Sequence, residues 1–288
     1  MKTIKPMKKY GKKHNHPKKG KVGERKVKRV SAIVPTYNRD FVLENTIVSL
    51  LEQTHPLFEI IIVDDNSTDK TKELVKKYQK SHKQIKYIKN EKNLNPAGSR
   101  NKGLEVAKGE IILFTDSDCF VPKDWLKKMV GEYNNKEVIG VGGYLEPAKN
   151  NWVANLERLQ NKYLLKIGKE RVEGKQECPT GYTSSMTYKT EVLKRVKGFN
   201  QDLISGEEID LKKRICQGEG KIVFLPEPVI HLESYDLEYL LDRLLNRGLG
   251  KRSSKGIVSK MFYTIYMFPV IMFNICSKLI RYKKENLI

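Results

Sequence analysis

Four short apolar runs alternate with polar loops and helical patterns in the first 115 residues of this 288-residue chain. Continuous apolar runs are typical of parallel strands that helices cover on both faces, and right-handed crossovers bring the carboxyl ends of such strands to one edge. The alternation therefore predicts an α/β fold with a mostly parallel sheet. The predicted strands are Arg29–Pro35, Phe58–Asp64, Ile85–Lys89 and Glu110–Phe114. The predicted helices are Asp40–Gln53 with an Asp cap, a helix from caps at Ser67, Thr68 or Asp69 to about Ser81, and Ser99–Ala107.

The loop after the fourth predicted strand carries two carboxylates, Asp116 and Asp118. Open α/β sheets bind ligands at the carboxyl edge of their strands. Two adjacent carboxylates repel each other, and a divalent cation such as Mg²⁺ or Mn²⁺ would keep both ionised and could bridge to a diphosphate. The alternative is that Asp-Ser-Asp caps a helix over Pro122–Val130. These residues alone leave both interpretations open.

Three further loops carry groups that can bind a nucleotide. Amide, carboxylate and guanidinium side chains can hydrogen-bond a base and a ribose and can hold phosphates. A polar turn needs no function, but a shared sheet edge favours a common ligand. The loops are Pro35–Arg39, Asp64–Asp69 and Asn93–Asn101.

Positive charge is concentrated at the amino terminus. Residues 1–29 contain thirteen Lys or Arg and one acid, Glu24, so they carry +12 of the net charge of +21. We expect a disordered basic arm without a secretory signal peptide, because the segment lacks an apolar run. Such an arm can bind an anionic membrane or nucleic acid, or can be a solvated tail. A nucleic-acid partner is not expected, because Tyr10 is the only aromatic residue available to stack on bases.

The four cysteines lie too far apart to form a zinc module, and they fit a reducing cytosol. They are Cys119, Cys178, Cys216 and Cys276. Cys119 directly follows the acidic pair, and we expect it to be a small apolar residue of the core with no role in the chemistry.

The motifs, in their order and spacing, resemble those of the family 2 glycosyltransferases. They are Val34–Arg39, Val63–Asp69, Asn93–Gly103, Asp116–Asp118, Gly198-Phe199, Gly206–Arg214 and Pro226–His231. The resemblance covers about Val30 to Gly250. It implies a GT-A fold, with a Rossmann-like mixed, mostly parallel sheet flanked by helices, and inverting transfer of a sugar from a nucleoside diphosphate sugar to a hydroxyl acceptor.

The resemblance also implies roles for individual residues. Asp118 is the expected direct ligand of Mn²⁺ or Mg²⁺, Asp116 lies nearer the ribose or a metal-bound water, and His231 completes the metal site. The alternative for His231 is a packed histidine at a strand end. One of Asp64 and Asp65 should meet the base, and the sequence does not say which. The residues expected at the nucleotide sugar are Pro35, Thr36, Asn38, Arg39, Asp64, Asp65, Gly98, Arg100 and Asp116.

The expected catalytic base is Glu208, at the start of a predicted helix, with Glu207 and Asp210 as rivals. Family members usually have Glu-Asp where this chain has Glu207-Glu208, so the side chain of Glu208 reaches one methylene further. A sugar nucleotidyltransferase is the alternative enzyme. That class needs a glycine-rich loop after the first strand, and residues 36–39 contain no glycine.

The carboxyl-terminal part predicts contact with a membrane. An amphipathic helix is expected over Asp236–Lys251, and the uncharged stretch Met261–Ser277 would reach about 25 Å as a helix, just short of a ~30 Å hydrocarbon core. We therefore expect membrane attachment through residues 257–280 and their basic flanks, a lipid-linked or polysaccharide acceptor, and a catalytic domain that faces the cytoplasm. The predicted division is an arm over 1–29, a transferase domain over 30–252, and an apolar membrane-associating helix with a basic tail over 253–288. Within the domain, 30–120 is the nucleotide-sugar half and 121–252 the acceptor half.

Overall fold

A computed structural model describes residues 28–163, 170–175, 183–203 and 206–240. The predicted alternation of strands and helices in the first half is confirmed, and the strands of the described residues form one mixed sheet. The strands are β1 (Val30–Thr36), β2 (Glu59–Asp64), β3 (Ile85–Lys89), β4 (Ile111–Phe114), β5 (Cys119–Phe120), β6 (Val138–Pro147), β7 (Val172–Gly174), β8 (Met186–Lys189) and β9 (Lys221–His231). The helices are α1 (Asp40–Leu51), α2 (Thr71–Gln79), α3 (Asn95–Val106), α4 (Trp125–Glu132), α5 (Trp152–Tyr163), α6 (Thr190–Arg195) and α7 (Glu207–Cys216).

The sheet has a parallel half and a mostly antiparallel half, in the order β3-β2-β1-β4-β8-β6-β9-β5. Strands β3, β2, β1 and β4 are parallel. Strand β8 is antiparallel to both β4 and β6, and β9 is parallel to β6. The other edge of β9 pairs with β7 near its start and with β5 at its end. The mixed GT-A-like sheet expected from the sequence is therefore present.

The apolar runs are continuous because both faces of the parallel half are covered. Along β1, Ala32 and Val34 pack on one face with α1 and α4, while Ile33 packs on the other face with α3. Alternate residues of a strand point to opposite faces, so a strand buried on both sides needs no polar residue in its pattern. Cys119 is fully buried in the first of these clusters, as expected for a packing role.

Most predicted boundaries are within one or two residues of the structure, but two helix starts and one cap differ more. Helix α3 begins at Asn95 rather than Ser99, because Pro96 is tolerated in the first turn of a helix. The predicted Asp cap of α1 is wrong, since the carboxylate of Asp40 accepts the amide of Lys70 on another loop at 3.3 Å. Helix α4 starts at Trp125, and β5 separates it from the acidic pair. The helix-cap alternative for Asp116 and Asp118 is therefore wrong.

Several predictions fall on parts of the chain outside the described residues. Of the arm predicted over residues 1–29, only Lys28 and Arg29 are described: Nζ of Lys28 donates to the carbonyl of Tyr133, and the carbonyl of Arg29 accepts the amide of Glu110 at 2.8 Å. Residues 1–27 lie outside the described residues. Residues 237–240 are helical, while residues 241–251 of the helix predicted over 236–251 and the apolar stretch Met261–Ser277 lie outside the described residues. Within the described ranges, no helix combines the length and the apolar character that a bilayer crossing requires.

Candidate active site

The carboxyl ends of the four parallel strands lie on one edge, as predicted. Backbone bonds continue the sheet into the loops: the amide of Asp65 donates to the carbonyl of Thr36 at 2.8 Å, and the amide of Asn90 donates to that of Asp64 at 2.8 Å. The amide of Thr115 reaches the carbonyl of Ile33 at 3.3 Å. The loops expected to bind the donor therefore begin side by side.

The first two loops are tied to each other by side chains. Asn38 has a positive φ of 50°, which asparagine tolerates better than most residues. Its amide donates to Oγ of Ser67 at 2.9 Å, and its Oδ1 accepts the amide of Thr68 at 2.9 Å. The amide of Asp40 donates to Oδ2 of Asp69 at 3.0 Å. Asn38, expected at the nucleoside, thus joins the two loops in this structure.

The two aspartates that follow β2 have different surroundings. Asp64 is fully buried; its Oδ1 accepts the amide of Ser67 at 2.7 Å and its Oδ2 accepts the hydroxyl of Tyr87. Asp65 uses a single oxygen, Oδ1, to accept the amide of Leu94 and the side-chain amide of Asn90, each at 2.8 Å. Both oxygens of Asp64 are therefore engaged by the protein, whereas among the described residues Oδ2 of Asp65 accepts no hydrogen bond.

Tyr87 is a residue that the sequence analysis missed. It lies on β3, and both burial and the Asp64 carboxylate raise the pKa of its phenol well above 10, so that it remains a donor. The apolar and charged residues that flank it give no sign of this role. Its position diagonally across from Asp64 follows from the pairing of β2 with β3, which the sequence does not specify.

Pro35, Thr36 and Gly98 line the same region in different ways. Pro35 and Thr36 are buried at the end of β1, and within the described residues Oγ1 of Thr36 has no hydrogen-bond partner. A buried hydroxyl without a partner is costly unless a ligand or water completes it. Gly98 is required by packing, since a Cβ there would lie 2.6 Å from Cβ of Leu94.

Arg100 connects the two halves of the site. It is 4% exposed; Nη2 lies 2.8 Å from Oδ1 of Asp116, and Nη1 lies 3.2 Å from Oε1 of Glu207. Its guanidinium also lies over the ring of Phe199, 5.5 Å from the centroid. Asn101 fixes Phe199 by bonds of 2.8 Å to its amide and carbonyl. Arg100, expected on the donor loop, thus holds the end of β4 against the start of α7.

The three candidate bases lie in the first turn of α7, as predicted. Glu207 is paired with Arg100, and Asp210 is paired with Arg214 at 2.6 Å. Glu208 is partly buried at the surface of the first turn. Burial raises the pKa of Glu208; Arg100 opposes this effect, and the charges of Glu207 and Asp116 add to it. Of the three, Glu208 is the carboxylate whose surroundings suit proton transfer.

A second cluster lies where β5 pairs with β9. Cys119 is in register with His231, and the amide of Leu232 donates to the carbonyl of Asp118 at 2.8 Å. This pairing brings Nε2 of His231 within 3.5 Å of Oδ1 of Asp118, which is 8% exposed. Glu233 joins them, and one ligand atom from each of the three residues lies within 4.8 Å of the others.

The predicted metal residues are therefore only partly brought together. Asp118 and His231 meet, whereas Asp116 is engaged by Arg100. Glu233 was not predicted, because it follows the last recognisable motif by two residues. Burial alone disfavours the charged forms of Asp118 and His231. Their contact with each other outweighs this effect, so the pKa of Asp118 is lowered and the pKa of His231 is raised.

The donor atoms of this cluster fit a divalent cation. Carboxylate oxygens suit Mg²⁺ and Mn²⁺, and an imidazole nitrogen favours Mn²⁺ over the strictly oxygen-seeking Mg²⁺. The ring of His231 is also supported from behind, since Nδ1 lies 2.7 Å from the hydroxyl of Tyr235. A metal-binding histidine usually has such a partner on its other nitrogen.

A mixed sheet that carries loops for a nucleotide sugar at the carboxyl ends of its parallel strands is the arrangement of a GT-A glycosyltransferase. Among solved structures, the mannosyltransferase PcManGT from Pyrobaculum calidifontis, in complex with GDP-Man and Mn²⁺, superposes with a TM-score of 0.61. The two are 22% identical, and the match covers 88% of this chain and 74% of that one. At this identity the likeness establishes the fold.

The profile of Glycosyl transferase family 2 matches residues 31–197, and the chain belongs to this family. An uncharacterized glycosyltransferase of Methanocaldococcus jannaschii, MJ1057, is 30% identical over 231 residues, which are 79% of this chain and 78% of that protein. The resemblance stated from the motifs is thereby confirmed.

Two further relatives carry more specific names. The putative teichuronic acid biosynthesis glycosyltransferase TuaG of Bacillus subtilis is 44% identical over 101 residues, which are 35% of this chain and only 40% of that protein. A Methanococcus voltae enzyme is 24% identical over 252 residues, which are 83% of this chain and 77% of that protein. Its name is dolichyl N-acetyl-alpha-D-glucosaminyl phosphate 3-beta-D-2,3-diacetamido-2,3-dideoxy-beta-D-glucuronosyltransferase.

Proposed function

We propose that this chain transfers a sugar from a nucleoside diphosphate sugar to a hydroxyl acceptor with inversion at the anomeric carbon, in a reaction that depends on Mn²⁺ or Mg²⁺. The observation that carries the proposal is the double contact of Arg100 with Asp116 and Glu207. It joins the loop expected to hold the donor to the turn that presents the candidate base.

The donor would lie along the parallel edge of the sheet. We assign Asp65 to the nucleotide base, because one of its carboxylate oxygens accepts no hydrogen bond from the described residues. Asp64 instead supports the loop, since it accepts hydrogen bonds from Ser67 and Tyr87. The hydroxyl of Thr36 is available to the nucleoside. These assignments explain why two adjacent aspartates are needed where a single one meets the ligand.

Glu208 would take the proton of the acceptor hydroxyl while the oxygen of that hydroxyl attacks the anomeric carbon of the donor sugar. The bond from that carbon to the diphosphate oxygen breaks in the same displacement, which inverts the configuration. Asp118 and His231 would hold the cation, whose positive charge would offset the charge that develops on the departing diphosphate. Arg100 pairs with Asp116 and with Glu207, the residue before the base, and thereby holds the first turn of α7 close to the donor side.

The acceptor we propose is lipid-linked or a polysaccharide, reached at the cytoplasmic side of a membrane. Two observations support it. The carboxyl-terminal segment has an apolar stretch with basic flanks, and the name of the Methanococcus voltae relative contains dolichyl N-acetyl-alpha-D-glucosaminyl phosphate. Deletion of residues 256–288 should release the protein from membranes. A truncated protein that partitions as the full chain does contradicts the membrane assignment.

The central experiment is binding of a panel of nucleotide sugars to the full chain with Mn²⁺ present, followed by transfer assays on the donor that binds. Glu208→Gln should retain donor affinity and lose transfer by roughly 10²–10⁴-fold, the usual worth of a general base. Turnover of Glu208→Gln close to that of the unmodified protein would exclude Glu208 as the base. Binding of no nucleotide sugar at all would contradict the proposed donor class.

A further inference from the structure

One arginine lies between the loop that follows β1 and the candidate metal cluster of Asp118, His231 and Glu233. Arg39 belongs to the loop between β1 and α1 and was expected to contact the nucleotide sugar. In the structure, its Nη1 lies 2.7 Å from Oε1 of Glu233. The side chains are 35% and 16% exposed, so the pair is partly shielded from water. Arg39 therefore neutralises a residue of the metal cluster instead of facing a ligand.

Glu233 has two competing attractions. One is the guanidinium of Arg39, and the other is the position that Asp118 and His231 share with it, where the three ligand atoms lie within 4.8 Å of one another. Two carboxylates this close repel each other when both are ionised. The positive charge of Arg39, which pairs with Glu233 and also acts on Asp118, favours their ionised forms. A divalent cation would offset the repulsion more strongly, because it carries twice the charge and contacts both carboxylates.

We infer that Glu233 is a third protein ligand of the cation and that Arg39 is its exchangeable counter-ion. When the cation binds, Glu233 turns from the guanidinium to the metal, and Arg39 becomes available to the diphosphate of the donor. This inference rests on the proposed metal-dependent transfer and adds an order to it. The cation binds first, and its binding frees a positive charge for the donor.

The exchange explains how one residue serves two sites. Before the cation arrives, Arg39 keeps two close carboxylates tolerable in a partly buried cluster. After it arrives, the same arginine would repel the metal if it stayed, and a diphosphate offers a better partner for a guanidinium. The short connection from β1 to Arg39 keeps the arginine beside the expected donor position throughout.

The ligand role of Glu233 can be tested by metal affinity alone. The full-length protein is titrated with Mn²⁺ without nucleotide, and free Mn²⁺ is followed by electron paramagnetic resonance. Glu233→Gln should weaken binding by roughly tenfold or more. Glu227→Gln is the matched control, since Glu227 also pairs with a cation, Lys128, but lies outside the cluster. Unchanged affinity in Glu233→Gln, or no binding by the unmodified protein, overturns the inference.

The exchange predicts effects of opposite sign for Arg39→Met. Without nucleotide, its Mn²⁺ affinity should rise about two- to fivefold, the worth of a partly exposed ion pair that no longer competes. With saturating Mn²⁺, its affinity for UDP or GDP should fall. In a Glu233→Gln background, Arg39→Met should leave the Mn²⁺ affinity unchanged. A fall in both affinities would mean that Arg39 only supports the loop, and would overturn the exchange.

Asp118→Asn separates this inference from the proposed function. If Asp118→Asn binds Mn²⁺ as the unmodified protein does, the metal site itself is wrong, and the proposed mechanism fails with it. If Asp118→Asn loses Mn²⁺ while Glu233→Gln retains it, the proposed function stands and the role of Glu233 is excluded.

Discussion

The hydroxyl of Tyr235 lies 2.7 Å from Nδ1 of His231, and the two rings meet edge to face at 5.6 Å. Tyr235 is 1% exposed and has a positive φ of 50°. A bulky residue rarely adopts this backbone region, and such outliers persist where the surrounding contacts over-determine them. The contacts of Tyr235, among them the one with His231, therefore outweigh an unfavourable backbone conformation.

From this contact we expect Tyr235→Phe to weaken Mn²⁺ binding by roughly tenfold, since a bond to the second nitrogen orients a metal-binding imidazole. The phenyl ring keeps the packing against Val153 and Ala154, so the thermal midpoint of the metal-free protein should change little. Titration with Mn²⁺ and thermal unfolding are measured on the same samples. An unchanged Mn²⁺ affinity would show that His231 is oriented without Tyr235.

The raised pKa of Glu208 predicts how the rate of sugar transfer depends on pH. Burial and the neighbouring carboxylates raise its pKa above the ordinary 4.5, although Arg100 opposes them. A base acts only when it is deprotonated, so kcat/KM should fall on the acid side at a pH above that of an ordinary carboxylate. A pH–rate profile on the donor found in the binding panel measures this limb. An acid limb at or below the ordinary value would argue against Glu208.

The same shift predicts that Glu208 lowers stability at neutral pH. Its pKa is higher in the folded than in the unfolded chain, so the folded state binds more protons between the two values, and the free energy of unfolding decreases as pH rises through that window. Glu208→Gln cannot ionise. The difference between the free energies of unfolding, Glu208→Gln minus the unmodified protein, should therefore become more positive from pH 4 to pH 7. Denaturant unfolding at several pH values checks this, and a pH-independent difference would contradict it.

Arg100 is expected to be important for both stability and proton transfer. Arg100→Met leaves Asp116 and Glu207 without their partner; because both are partly exposed, we expect a loss of about 2 kcal/mol, below that of a fully buried pair. Arg100 also lowers the pKa of Glu208, so the acid limb of the pH–rate profile should move further up in this variant. Arg100→Lys keeps the charge and should shift the limb less. An acid limb at the same pH in Arg100→Met as in the unmodified protein would show that Arg100 does not influence the pKa of the catalytic base.

The parallel half of the fold could be predicted from sequence because its information is local. Each run such as Ile60–Val63 is continuous and apolar since both faces of the sheet are covered, and each ends in a polar loop. The antiparallel half has no such period. Strands β5 and β7 have only two and three residues. Their partner residues on β9 lie about 110 residues further along the chain for β5 and about fifty for β7, which is too distant for a local pattern to indicate the pairing.

The candidate site divides in the same way. Asp118, His231 and Glu208 were found because they belong to motifs, whereas Glu233, Tyr235 and Tyr87 act through contacts that exist only in the folded chain. Arg100 and Arg39 were placed on the donor side because they follow donor motifs. Arg39 in fact pairs with Glu233, and Arg100 pairs with Glu207 in addition to Asp116. Glu207 and Glu233 belong to the second half of the chain, and charge complementarity over such separations cannot be predicted from spacing.

Glu59 provides a test of the fold that is independent of the site. Its side chain is 2% exposed and paired with Lys86, and it accepts Oγ of Ser31 at 2.6 Å and the amide of Lys108 at 2.6 Å. Burial alone would raise the pKa of Glu59, but these contacts together lower it. The carboxylate therefore joins the start of β2 to β1 and to the turn before β4.

We expect Glu59→Gln to lower the free energy of unfolding by about 2 kcal/mol at neutral pH, because hydrogen bonds to a buried charge are replaced by weaker ones. The folded pKa is depressed, so the contribution is complete above the ordinary value of 4.5 and is lost as pH falls through the folded value. Glu44→Gln is the control, since its pair with Lys77 is about half exposed and should contribute under ~1 kcal/mol. Denaturant unfolding of both variants at neutral and acid pH measures the difference. Equal effects of the two substitutions at neutral pH would mean that the buried contacts of Glu59 do not stabilise the sheet.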